Sequence, residues 1–175
     1  MMADSNQHPV KKIQIIVSRG SLDGIYPALI LANGARMEGI DASLFFTFFG
    51  LNGLVKSTMS TMKVATVGNT ALNMAMPLMG LPLTLPFPTC IGSIPGVSAI
   101  ASGLMKKKME ELDIPPVEEF LEMISDSGGQ IYACKLAMDM FGLKKVDLWD
   151  RVDGILTVGD FYNASAGEGT HILFT

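Results

Sequence analysis

Cysteine, histidine, tryptophan and charge are all scarce in this chain. Its 175 residues include two cysteines, Cys90 and Cys134, two histidines and one tryptophan. Two isolated thiols exclude a disulfide-dense framework and a four-cysteine zinc site. His8 and His171 stand at opposite ends and offer no paired metal ligands. No metal or cofactor site is therefore expected. Charged residues make up only 17%, with a net charge of −4, so the basic footprint of a nucleic-acid binder is absent. The stretch SRGSLDG (18–24) is no GxGxxG turn, and no Walker A lysine follows a glycine-rich loop. A CxxC pair is missing too. The opening MMADSNQHPVKK is polar and lacks the apolar core of a signal peptide, so residues 1–10 read as a loose tail and the expected location is the cytoplasm.

What is present is apolar. The apolar share is 49%, and seven of the 13 methionines fall between Met59 and Met109. From Val64 to Met105, 42 residues pass without a charge. A membrane-spanning helix needs about 20 consecutive apolar residues. Here Pro77, Pro82, Pro86, Pro88 and Pro95 cut the run so that no proline-free piece exceeds 13 residues. The expectation is an apolar, Met-rich insert over about 64–105 that covers an oligomer interface or touches a membrane surface without spanning it.

The rest of the chain alternates strand and helix signals. Lys12–Ser18 reads as a central strand, Asp23 to about Glu38 as a helix, and Asp41–Phe49 as a second strand. Strand, helix and strand in under 40 residues make a right-handed parallel crossover. Pro95 opens a helix with Val97, Ile100, Ala101, Leu104 and Met105 at helical spacing, and Lys106–Lys108 lie near its end. Pro115–Pro116 restart a helix whose face carries Val117, Phe120, Leu121 and Ile124. Ile155–Ala166 reads as helix and His171–Phe174 as a closing strand. The fold expected is α/β, a flavodoxin-like open parallel sheet of four to five strands with helices on both faces and the apolar insert. The expected organisation is a single domain over 11–175.

The chemistry concentrates at GGQIYACKLAMDMFGL (128–143). A buried strand runs into a helix with Cys134 at the join. Leu136, Ala137, Met140 and Phe141 recur at helical spacing, and Gly142 closes the helix. The first N–H groups of a helix lack intrahelical partners and carry the positive end of its dipole, which favours a thiolate. A cysteine there is either a reactive thiol or a packed core residue. The N–H groups of Lys135 and Leu136 are candidate donors to a sulfur anion. Thr47 and Asn52, at the carboxyl end of the second strand, are candidates to line the same crevice. Cys90 sits among prolines and glycines on an expected loop, either packed or serving as a second thiol.

At Cys134 the pattern resembles the DsrE/DsrF-like superfamily of small sulfur carriers, in its long-insert branch. The matching pieces are YPALILANGARMEG (26–39), FFTFFGL (45–51), MPLMGLP (76–82), GVSAIASGLMKKKMEELDIPP (96–116) and IYACKLAMDMFGL (131–143). The resemblance implies a homo-oligomer that takes up sulfane sulfur or a thiosulfonate group on Cys134, with Cys90 as a second candidate. It also implies handover to a TusA-like carrier or a rhodanese. Two other classes compete: a scaffold or membrane-surface module acting through 64–105, and a disulfide oxidoreductase pairing Cys90 with Cys134. A relay of this kind needs an exposed thiolate.

Overall fold

The computed structural model describes residues 10–66, 73–78, 81–86 and 96–175. Cys90 and the tail over 1–9 lie outside the described residues. The chain forms two compact units, one of 1–20, 24–62 and 116–175, the other of 21–23 and 63–115.

The first unit is built on five parallel strands in the order β6-β5-β2-β1-β7. These are β1 (Lys12–Val17), β2 (Asp41–Phe46), β5 (Gln130–Cys134), β6 (Gly154–Leu156) and β7 (Thr170–Phe174). Between them run α1 (Leu22–Met37), the short α2 (Lys56–Met59), α4 (Val117–Asp126), α5 (Lys135–Phe141) and α6 (Val158–Ser165). Parallel pairing is continuous: Ile15 lies beside Leu44, Leu44 beside Ile131 and Tyr132 beside Gly154. Strand alternation divides the two faces. Ile15, Val17, Leu44, Phe46, Ile131 and Ala133 are fully buried on one of them. Burial of each large side chain in that layer contributes about 1.5–3 kcal/mol.

The other face carries Gln14, Phe45 and Tyr132, and α6 lies on it. Phe45 stacks on Phe161 at 4.7 Å between ring centroids. Lys12 Nζ and Gln14 Nε2 donate to the Ala164 carbonyl at 2.7 and 2.8 Å, and Ser165 Oγ bonds Gln14. These groups satisfy the carbonyl end of α6, and the lysine also complements its dipole. The connecting helices thus occupy both faces, as the alternating strand and helix signals predict.

The strand read as Asp41–Phe49 stops at Phe46, and Phe48–Gly53 turns as a 3-10 helix. A close backbone approach fixes that turn. Gly50 N donates to Ser18 O at 3.0 Å, and a Cβ on Gly50 would lie 2.1 Å from the Val17 carbonyl oxygen. Only glycine fits there. The segment read as one helix from Ile155 divides into β6 and α6, because Thr157 caps a new helix. Arg36 is a structural clamp. Its Nε and Nη2 donate to Ser127 O at 2.9 and 2.7 Å, and Nη1 pairs with Asp41 at 2.7 Å.

The second unit holds an antiparallel hairpin, β3 (Asn73–Leu78) with β4 (Leu81–Pro86), and the helix α3 (Val97–Glu110). Ser102 Oγ accepts from Val64 N at 2.9 Å and Asp23 from Ala65 N at 2.8 Å. Of the helical stripe expected on α3, Ala101 is buried, whereas Ile100 and Leu104 are exposed. Among the described residues, no helix is long and apolar enough to cross a membrane.

Candidate functional site

Cys134 ends β5 and is the N-cap of α5, with extended backbone at φ −75° and ψ 119°. No side chain caps the helix there. In register it stands beside Leu156 of β6, and Thr47 follows the Phe46–Ala133 pair on β2. Alternation puts Cys134 on the same sheet face as Tyr132 and Phe45. The thiol is free, but only 4% of the residue is exposed. Of the two readings left open for this cysteine, the relay one needs an exposed sulfur, and the single chain buries it. The strand end is flanked on both sides, by β2 and β6.

The other candidates gather at the same end of the sheet. Thr47 is half-buried at the N-cap position of the 3-10 turn, where its side chain makes no capping bond, and its amide donates to Val17 O at 2.9 Å. Asn52 is half-buried in that turn, and its carbonyl accepts from Thr58 Oγ1 at 2.9 Å. The turn packs against both β5 and α5. Lys135 and Leu136 form the first turn of α5, and both side chains are exposed. Lys135 lines an open cavity of about 330 Å³ with Met138, Asp139, Leu143, Lys145 and Ile155. Among the described residues, no cluster of His, Cys, Asp and Glu could hold a metal ion.

Tyr132 is half-buried; burial, and then the Asp153 carboxylate, hold its phenol above the usual tyrosine range. Asp153 is itself engaged, accepting from Ile131 N at 2.7 Å. His171 is exposed on β7.

Sequence reasoning misplaced the inner face of α5. It grouped Leu136, Ala137, Met140 and Phe141, whereas Ala137 and Met138 are the buried pair. Leu136 is 69% exposed and Met140 54%. Phe141 meets Phe49 of the 3-10 turn at 5.7 Å between centroids, and Phe48 beside it is exposed with φ 47°. A solvent-facing apolar group flanking Cys134 was thus missed. The spacing of Leu136 and Met140 gave the signal, but periodicity alone does not say which stripe faces inward.

The model of the DsrE/DsrF/DrsH-like family matches residues 9–174. The sulfur carrier protein DsrE2 of Allochromatium vinosum is 32% identical over 149 residues, covering 82% of this chain and 86% of its own. An uncharacterized protein of Bacillus subtilis, YrkE, is 28% identical over 170 residues, covering 94% of this chain and 96% of its own. Among solved structures, the ychN protein from E. coli superposes with a TM-score of 0.52 at 16% identity, over 95% of this chain and 100% of that one. That likeness concerns the fold.

Proposed function

The chain belongs to the DsrE/DsrF/DrsH-like family, and on that premise we propose that it is a cysteine-based sulfur carrier acting in cytoplasmic sulfur metabolism. Cys134 accepts sulfane sulfur or a thiosulfonate group and relays it to a TusA-like carrier or a rhodanese. The observation that carries this reading is a free thiol at a strand-to-helix join in a chain similar to a named sulfur carrier.

For sulfane sulfur, the Cys134 thiolate attacks the outer sulfur of a donor persulfide, R–S–SH. The donor's S–S bond breaks, a new S–S bond forms on Cys134, and R–S⁻ leaves. The partner's thiolate then attacks the outer sulfur of Cys134–S–SH, and the Cys134 thiolate leaves. One sulfur atom moves at each step with no net oxidation, so the chain needs no cofactor for it. The amides of Lys135 and Leu136 hold the persulfide anion at the start of α5, while Thr47 and Asn52 line the approach from β2. Since Cys134 is 4% exposed in the single chain, the reaction requires a local opening at the β5–α5 join. Assembly as a homo-oligomer is part of the proposal.

The test is discharge. Protein loaded with inorganic polysulfide is mixed with a reduced TusA-like carrier, and the carrier's mass is followed. Transfer expected from the wild type disappears in Cys134→Ser. Equal transfer by that variant removes Cys134 from the reaction. The burial of Cys134 favours one alternative, in which Cys90 takes up the sulfur and Cys134 is a packing residue. Cys90→Ser separates the two readings.

A further inference from the structure

We propose that the exposed apolar group formed by α5 and the 3-10 turn after β2 is the docking surface for a transient protein partner, one whose own thiol exchanges sulfur with Cys134. This deepens the sulfur-relay reading and rests on it for the identity of the cargo. The surface consists of Phe48 at 53%, Phe49 at 62%, Leu136 at 69%, Met140 at 54% and Phe141 at 41% exposure. The two elements pack on one another, and the Phe49–Phe141 ring contact ties them together. Only Lys135 separates Leu136 from Cys134, so a partner seated here stands at the carboxyl end of the sheet, where the thiol lies.

The backbone holds this group outward. Phe48 keeps a left-handed conformation at φ 47°, which bulky side chains rarely adopt. The turn that carries it is pinned to the end of β1 by the Gly50–Ser18 hydrogen bond of 3.0 Å. Within α5, Ala137 and Met138 face the core, so Leu136 and Met140 point away from it at helical spacing. Aromatic and methionine side chains are the types enriched at interface centres.

Size selects the occupant. Five side chains at these exposures amount to roughly 600 Å² of accessible area, with each aromatic worth 150–250 Å² when fully covered. A stable dimer takes about 800 Å² or more from each partner, whereas transient redox-type encounters bury less. A relay must release its partner after every transfer, and an area of this size suits that demand. Methionine adapts to surfaces of differing shape.

The experiment measures binding of the full chain to a reduced TusA-like carrier, separately from sulfur loading. The substitutions are Met140→Lys, where a lysine near the end of α5 complements the helix dipole, and Phe48→Asn, a residue that tolerates the left-handed conformation. Phe174→Lys, 72% exposed on β7, is the control. Circular dichroism establishes folding, and Met140→Lys alone serves if the double variant is unstable. Met140→Lys/Phe48→Asn is expected to weaken Kd about tenfold or more, in the range of interface anchors. Polysulfide loading and the control's binding stay unchanged. Wild-type affinity in the double variant overturns the proposal. A change of oligomeric mass in that variant also overturns it, by assigning the face to a second copy. A wild type that loads sulfur but does not bind the carrier overturns the surface and leaves the uptake reading standing. Binding lost in the variant, with no sulfur ever on Cys134, supports the surface and removes the cargo.

Discussion

Two strand-to-helix joins in the same sheet solve one problem differently. At the β6–α6 join, Thr157 Oγ1 accepts from Asp160 N at 3.2 Å, and the Asp160 carboxylate accepts from Thr157 N at 3.0 Å and from its hydroxyl at 2.6 Å. That reciprocal cap satisfies the helix start. At the β5–α5 join the N-cap is Cys134, which makes no capping bond and is nearly buried. Threonine, serine, asparagine or aspartate at an N-cap commonly stabilises by about 1 kcal/mol over residues that cannot cap. The β5–α5 join forgoes that stabilisation and holds a sulfur atom instead, which fits a position shaped by chemistry more than by stability.

Replacing the sulfur breaks the comparison most severely. Cys134→Ser is expected to reduce polysulfide loading about a hundredfold or more, since a hydroxyl is no nucleophile towards sulfur. The new hydroxyl can cap α5, so Tm should stay within about 3 °C of the wild type. Parallel loading and calorimetry check both halves.

Gly50→Ala tests the frame beside the site. Its Cβ would lie 2.1 Å from the Val17 carbonyl, so the turn must shift. The expected loss is about 2–3 kcal/mol by denaturant unfolding. Loading should accelerate as well if the turn helps bury Cys134.

Thr157→Ala removes the cap at the other join and should lower Tm by about 2–4 °C without altering loading. The hydrogen bonds from Thr157 hold the Asp160 carboxyl below its ordinary value of 3.8. A depressed carboxyl contributes stability that is present above its unfolded pKa and is lost as pH falls through the folded one. The gap between wild type and Thr157→Ala should therefore be full at neutral pH and narrow in acid below the usual carboxylate range. Melting curves across that range measure it. The smallest effect expected is that of Cys90→Ser, which should leave loading within about twofold of wild type.

Much of this architecture was legible in the residues. The short apolar runs around Ile15, Leu44 and Ile131 announced parallel strands, and Val117, Phe120, Leu121 and Ile124 announced the buried face of α4. Strand β6 was not legible, because three residues give no period and Ile155 and Leu156 merge with the helix that follows. The place of Cys134 at a join followed from GGQIYACK and Gly142, but its burial did not. Burial at a strand end depends on its neighbours β2 and β6 and on the turn over Phe48–Gly53, which come from distant parts of the sequence. Arg36 was opaque for the same reason, since its acceptor at Ser127 lies 91 residues away.

The most direct measurement is peptide-level mass spectrometry of wild-type protein after polysulfide treatment and alkylation. The account predicts added mass in steps of about 32 Da, one sulfur each, on the peptide holding Cys134. Sulfur found on the Cys90 peptide with none on Cys134 would contradict it.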